Sequence, residues 1–244
     1  MLWDLDGTLI DSEAYWMAEE TALVERFGGT WTHDEALQLV GAGLGHSALI
    51  LQRAGVPWES DRIIDHLTDG VTARIRDSMP WRPGARELLA AVRAAGVPTA
   101  LVTMSIRRMA ELVADSIRAA DGHDAFDVIV SGSDVKNSKP HPEAYLSAAA
   151  QLGVEPADCV AIEDSPTGLA SAMAAGARVI GVPLMLQLSS GDAAPVGWTE
   201  WRTLVGRGLD DLSEVLRLSR ESEGDAASAV AASYSPSSPQ EARR

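Results

Sequence analysis

Through its middle and second half the chain alternates short, β-branched-rich apolar runs with stretches of helical periodicity. PTALV before Thr103, FDVIV before Ser131, CVAI before Glu163 and RVIGV around Ile180 are predicted as buried strands. Helices are predicted between them over Ala85–Ala95, Ile106–Arg118, Glu143–Leu152 and Thr167–Ala175, with Gly96, Gly153 and Gly176 as stop signals for three of these. A helix between consecutive strands is a crossover, and crossovers join parallel neighbours. The chain is therefore predicted as an α/β fold whose mostly parallel sheet is covered by helices on both faces.

The stretch from Glu13 to Met79 breaks that rhythm. It carries helical patterns at Ala14–Phe27, His33–Val40, His46–Ala54 and Asp61–Ser78, interrupted by Gly28-Gly29 and by Gly41, Gly43 and Gly45, with no strand among them. Residues 13–79 are predicted as an all-helical cap domain inserted into a core made of 1–12 and 80–220, with Pro80–Gly84 returning the chain. From about Glu221 the composition turns to Ser, Ala, Pro and Glu, and 221–244 is predicted as a disordered tail. Only Met1, Leu2 and Trp3 precede the first acidic pair, fewer than the roughly 5–6 residues of an ordinary strand, so the first strand is expected to be weakly held.

Bulk properties remove several classes. A formal net charge of −15 opposes nonspecific attraction to nucleic acid or anionic membrane. No apolar run approaches the ~20 residues of a membrane-spanning helix and no basic-then-apolar leader is present, so the protein is expected to be cytoplasmic. Cys159 is the only cysteine and lies in an apolar run, which excludes an intrachain disulfide and marks it as a small core residue. The only two lysines, Lys136 and Lys139, share one loop.

The polar residues of interest all follow predicted strands. Asp4 and Asp6 come after MLW, Thr103 and Ser105 after TALV, Ser131 and the loop to Lys139 after DVIV, and Glu163, Asp164 and Ser165 after CVAI. Ligands of open parallel sheets bind outside the carboxyl ends of the strands. Up to four carboxylates in one such crevice cannot all ionise on the strength of one lysine. A hard divalent cation meets that need, and Mg²⁺ binds through one or two carboxylates together with substrate phosphate. Each residue alone has a plain structural reading. Asp-x-Asp-Gly makes a turn, Thr103 satisfies a strand end, Lys139 is a solvated loop charge, and Glu163 and Asp164 favour the start of the next helix. Taken together, at corresponding strand ends, they point to a metal and phosphate site.

The sequence resembles the haloacid dehalogenase-like hydrolase superfamily, in the branch with a small helical cap after the first motif. The resemblance rests on DLDGTLIDSE, LVTMS, SKPHPEAY and IEDSPTGLASAMAAG in this order, and spans residues 1 to about 185. It implies a Rossmann-like parallel-sheet core, Mg²⁺ as cofactor and phosphatase or phosphoryl-transfer activity. It implies Asp4 as the nucleophile that forms an aspartyl-phosphate and Asp6 as general acid–base, with its backbone carbonyl on the metal. Thr103 and Met104 would bind the phosphoryl group, Lys139 would neutralise charge beside Asp4, and Asp164 would hold the metal with Glu163, directly or through water. Gly7 and Thr8 would shape the turn and Ser165 would support the metal shell.

Asp6 and the full DGT separate the chain from the dehalogenases, which lack the second aspartate. The absence of lysine between Glu13 and Met79 separates it from phosphonatase-type members. β-Phosphoglucomutase-like members carry a histidine at the position of Trp16 and an arginine near Leu44, both absent here. Hydrolysis of a small phosphomonoester, a sugar phosphate or similar metabolite, is therefore expected, by a monomer or weak dimer. A sugar phosphomutase and a non-catalytic phospholigand-binding protein are the alternatives. Glu13, Trp16, His46 and Arg74 are the cap residues expected to bear on substrate choice.

Overall fold

The computed structural model describes residues 1–188 and 197–217. Six strands, β1 (Leu2–Trp3), β2 (Ala100–Val102), β3 (Val128–Val130), β4 (Val160–Glu163), β5 (Arg178–Gly181) and β6 (Thr199–Glu200), form one parallel sheet in the order β3-β2-β1-β4-β5-β6. The chain builds outward from β1 to β3, then crosses back and builds from β4 to β6. Its winding therefore reverses between β1 and β4, where an open sheet leaves a crevice.

The side chains of β1 alternate between two cores. Trp3 packs with Leu88 and Val92 of α5 (Ala85–Ala94) and with Met109 and Val113 of α6 (Arg107–Asp121). Leu2 packs on the opposite face with Tyr145 and Ala148 of α7 (Glu143–Leu152) and Leu169 and Ala172 of α8 (Pro166–Ala174). Small residues on that second face let α7 and α8 approach the sheet closely. β1 has only two strand residues, yet both are fully buried and paired on each side, to β2 and to β4. The Met1 carbonyl extends the ladder by accepting the Ala100 N–H at 2.9 Å. A central position between two partners supplies what length does not.

Between β1 and α5 the chain forms four helices, α1 (Glu13–Arg26), α2 (His33–Leu37), α3 (Leu44–Arg53) and α4 (Ser60–Asp77). Its two connections to the core run side by side. The Asp11 N–H donates to the Pro80 carbonyl at 2.7 Å and the Arg82 N–H to the Leu9 carbonyl at 3.0 Å. α2 starts on a capping box, Thr32 with Glu35, but stops three residues before the expected Val40. Hydrogen bonds three residues apart, such as Leu39 N–H to Ala36, tighten the chain into a turn that ends at Gly41.

The sequence reading missed β6 and a helical stretch at 209–217. Two residues of strand carry no periodicity, and β6 is defined only by its partner β5. The predicted tail, 221–244, lies outside the described residues. Cys159 is buried, and among the described residues no helix is long and apolar enough to cross a membrane.

Candidate active site

The sheet register assembles the site. The Asp4 N–H donates to the Ile162 carbonyl at 3.1 Å, which sets Asp4 beside Glu163 at the end of β4. The Thr103 N–H donates to Val130 at 2.9 Å and carries β2 to the same edge. After Asp4 the chain folds back on itself, with the Leu5 carbonyl accepting from the N–H groups of Leu9 and Ile10 at 2.9 and 3.1 Å. Gly7 turns that corner with φ of 81°, and a Cβ there would overlap the Asp164 carboxylate. Glycine is required twice, for the backbone and for the close approach of Asp164.

Lys139 lies at the centre of the charges. Its Nζ donates to Asp4 Oδ1 at 2.7 Å, to Glu163 Oε1 at 2.6 Å and to the Val102 carbonyl at 3.0 Å, which uses all three of its hydrogens. Burial disfavours the ammonium, but the carboxylates of Asp4 and Glu163 outweigh this and hold its pKa above the ordinary value. Tyr145 donates to the same Glu163 oxygen at 2.5 Å, and Gly168 leaves room for the Glu163 carboxylate, which a Cβ would overlap. Arg82 braces the turn behind Asp164 by donating to the Gly7 carbonyl at 2.8 Å.

One ammonium does not balance these acids. Burial and the Glu163 charge push Asp4 up to about 7 despite Lys139. Burial, then Asp4 and Glu163, hold Asp164 well above the usual carboxylate range. Carboxylate oxygens of Asp4, Glu163 and Asp164 lie within 4.8 Å of one another. Asp164 Oδ1 accepts from Thr8 at 3.3 Å, while among the described residues its buried Oδ2 has no hydrogen-bond partner. An orphaned oxygen in a trio of buried carboxylates fits a hard divalent cation.

Asp6 occupies the other side of the crevice and is held by four hydroxyl or N–H donors. Ser12 Oγ and Trp16 Nε1 reach its Oδ1 at 2.5 and 3.0 Å, and Ser105 Oγ and Thr103 Oγ1 reach its Oδ2 at 2.7 and 3.3 Å. Two of these donors come from the chain that enters the cap and two from the core. Thr103 also accepts the Ser105 N–H at 3.0 Å, and Met104 Sδ takes the Lys139 N–H at 3.4 Å.

The cavity beside Asp4 is walled by the core residues Asp6, Thr103, Met104, Lys139 and Asp164 and, from the cap, by Glu13, Trp16, Glu20, Leu39 and Ser47. Glu13 and Trp16 thus line the cavity. His46 is exposed and absent from the lining; its neighbour Ser47 takes that place. Arg74 points outward to Glu19 at 2.8 Å. Sequence reasoning missed Tyr145, Ser12, Arg82 and Glu20. Glu20 follows Glu13 by two helical turns, and that spacing was a signal available in the sequence.

A Rossmann-type sheet with a carboxylate-rich crevice at its switch point, roofed by a helical cap, defines a hydrolase of the cap-bearing α/β class. The chain belongs to the haloacid dehalogenase-like hydrolases, a family matched by residues 1–182. It is 33% identical over 186 residues to hexitol phosphatase B of Escherichia coli K12, covering 75% of this chain and 82% of that protein. It is 31% identical over 193 residues to a phosphorylated carbohydrates phosphatase of Thermotoga maritima, covering 75% and 84%. Among solved structures, a CbbY variant of Rhodobacter sphaeroides in complex with xylulose-(1,5)bisphosphate superimposes with a TM-score of 0.73 at 27% identity, covering 86% of this chain and 96% of that one.

Proposed function

We propose that the protein is a Mg²⁺-dependent phosphatase that hydrolyses a small phosphomonoester, a sugar phosphate or similar metabolite, through an aspartyl-phosphate on Asp4. Asp4 attacks phosphorus through a carboxylate oxygen as the ester oxygen leaves. Asp6 gives that oxygen its proton and then takes one from the water that cleaves the acyl phosphate, which returns both aspartates to their starting states. Lys139 grips Asp4, while four neutral donors orient the Asp6 carboxyl. Thr103 and Met104, at the end of β2, take phosphoryl oxygens. Asp4, Asp164, Glu163 and the Asp6 carbonyl would hold the metal, which supplies the positive charge that phosphoryl transfer needs.

The observation that carries the reading is the buried Asp164 Oδ2 without a partner beside Asp4. The carbohydrate phosphatases among the relatives support the substrate class. The mutase alternative is disfavoured because Trp16, anchored to Asp6, stands where the mutase-like members carry histidine. The test is a panel of phosphorylated metabolites assayed for free phosphate and for isomerised product. Free phosphate is expected, lost on chelation, with Asp4→Asn lowering kcat by about 10³-fold or more. Isomerised product with little phosphate, or turnover that survives Asp4→Asn, would overturn the assignment.

A further inference from the structure

We propose that Trp16 is a positioning residue for the acid–base step: its indole N–H, together with the Ser12 hydroxyl, holds one oxygen of the Asp6 carboxyl so that the other is aimed at the leaving ester oxygen. The proposal rests on the phosphatase reading and adds to it the groups that orient the proton donor.

The donors around Asp6 divide by side. Oδ1 takes Ser12 Oγ at 2.5 Å and Trp16 Nε1 at 3.0 Å, while Oδ2 lies with Ser105 Oγ and Thr103 Oγ1 at the end of β2. In the phosphatase reading that end receives the phosphoryl oxygens, so Oδ2 is the oxygen placed to exchange a proton with the ester. Three of the four partners are hydroxyls, which donate or accept according to how they turn. An indole N–H only donates. Trp16 therefore commits Oδ1 to accepting, whichever way the hydroxyls turn, and leaves the acidic proton to Oδ2.

The start of α1 is given over to this arrangement. Ser12 stands at the N-cap position, where a serine ordinarily satisfies a free N–H of the first turn. Here it makes no side-chain cap bond, its backbone is helical with φ of −86° and ψ of −9°, and its hydroxyl goes to Asp6 instead. Trp16 follows four residues later on the same helix face, and its backbone N–H donates to the Ser12 carbonyl at 3.0 Å, which fixes the spacing of the two side chains. The indole is 7% exposed and packs in the hydrophobic core while its edge lines the cavity. The bond to Asp6 is more than the need of a buried N–H for some acceptor. Trp3 Nε1 is also buried, and among the described residues it has no hydrogen-bond partner.

In the transfer step the Asp6 proton passes to the ester oxygen as its bond to phosphorus breaks and the bond from Asp4 to phosphorus forms. An ester that leaves as a stable anion does not need that proton. The experiment measures kcat/KM, which covers the steps up to this transfer, for p-nitrophenyl, phenyl and benzyl phosphate, esters of similar size whose leaving oxygens are increasingly basic. Trp16→Phe keeps an aromatic ring and removes the N–H. It should lower kcat/KM for benzyl phosphate by about 20-fold and for p-nitrophenyl phosphate by less than about twofold. Ser12→Ala should give the same ordering, and it carries the test if the first variant does not fold. Added to Asp6→Asn, Trp16→Phe should bring no further selective loss, because it acts through Asp6. An equal loss on all three esters, undiminished use of benzyl phosphate in both variants, or a further selective loss in Asp6→Asn overturns the proposal, while hydrolysis of p-nitrophenyl phosphate by the parent keeps the phosphatase reading. A parent that hydrolyses none of the three esters and no phosphorylated metabolite overturns both.

Discussion

Glu20 shows what a single acid in this cavity costs the fold. Its pKa rises from 4.5 to about 7, mainly through burial, so the folded protein holds a proton that the unfolded chain releases. Stability from this group is full below pH ~4.5 and is lost as pH climbs through ~7. Glu20→Gln keeps an acceptor for Trp31 and removes the titration. Its stability advantage over the parent should grow by about 2 kcal/mol between pH 5 and pH 8, read from urea denaturation at the two values. A constant difference would mean that Glu20 stays solvated. Asp4, Asp6, Lys139 and Asp164 were legible at this scale because motif spacing and strand ends announce them. Tyr145 and Arg82 were not, since each acquires its meaning from a partner, Glu163 or the Gly7 carbonyl, that only the fold brings near.

Two of the contacts between the helical segment and the core are of unequal worth. Arg108 of α6 pairs with Asp65 and Asp69 of α4, but all three side chains are at least 42% exposed, and such pairs contribute less than about 1 kcal/mol. Thr167 of α8 donates to the Gly41 carbonyl at 2.9 Å, and Gly41, with φ of 71°, lies so near Ser165 that a Cβ would sit 2.8 Å from its Cβ. This contact seats the cap loop on the core next to Asp164. Thr167→Val keeps the shape and deletes the donor, so KM should rise by about fivefold with little change in melting temperature, as measured by steady-state kinetics and thermal melts. An unaltered KM would show that closure does not depend on this hydrogen bond. The helices of the cap were legible from periodicity, whereas the α2 end was not, because the Gly41 turn answers to Thr167, more than a hundred residues away.

For the whole molecule the governing quantity is charge. A net −15 is spread over the surface, but the part that matters is concentrated where β1 and β4 diverge. A ligand that binds the folded state alone stabilises it in proportion to its occupancy. Millimolar Mg²⁺ should raise the melting temperature by about 5 °C beyond NaCl of equal ionic strength, and Asp164→Asn should lose most of that increment. An equal response to both salts would reduce the effect to general screening. The sheet order was legible only as far as parallel strands with crossovers. Which strand stood at the centre depended on long-range pairing, and MLW, the shortest predicted strand, proved to be that one.

Asp6 is tied to both halves of the protein at once, through Ser12 and Trp16 on one side and Thr103 and Ser105 on the other. Of these four donors Trp16 alone belongs to the helical segment, and it ties that segment to the strand-end carboxylate directly. The Asp6 carboxyl therefore has its full set of anchors only with Trp16 of α1 lying against the core edge that carries Thr103 and Ser105.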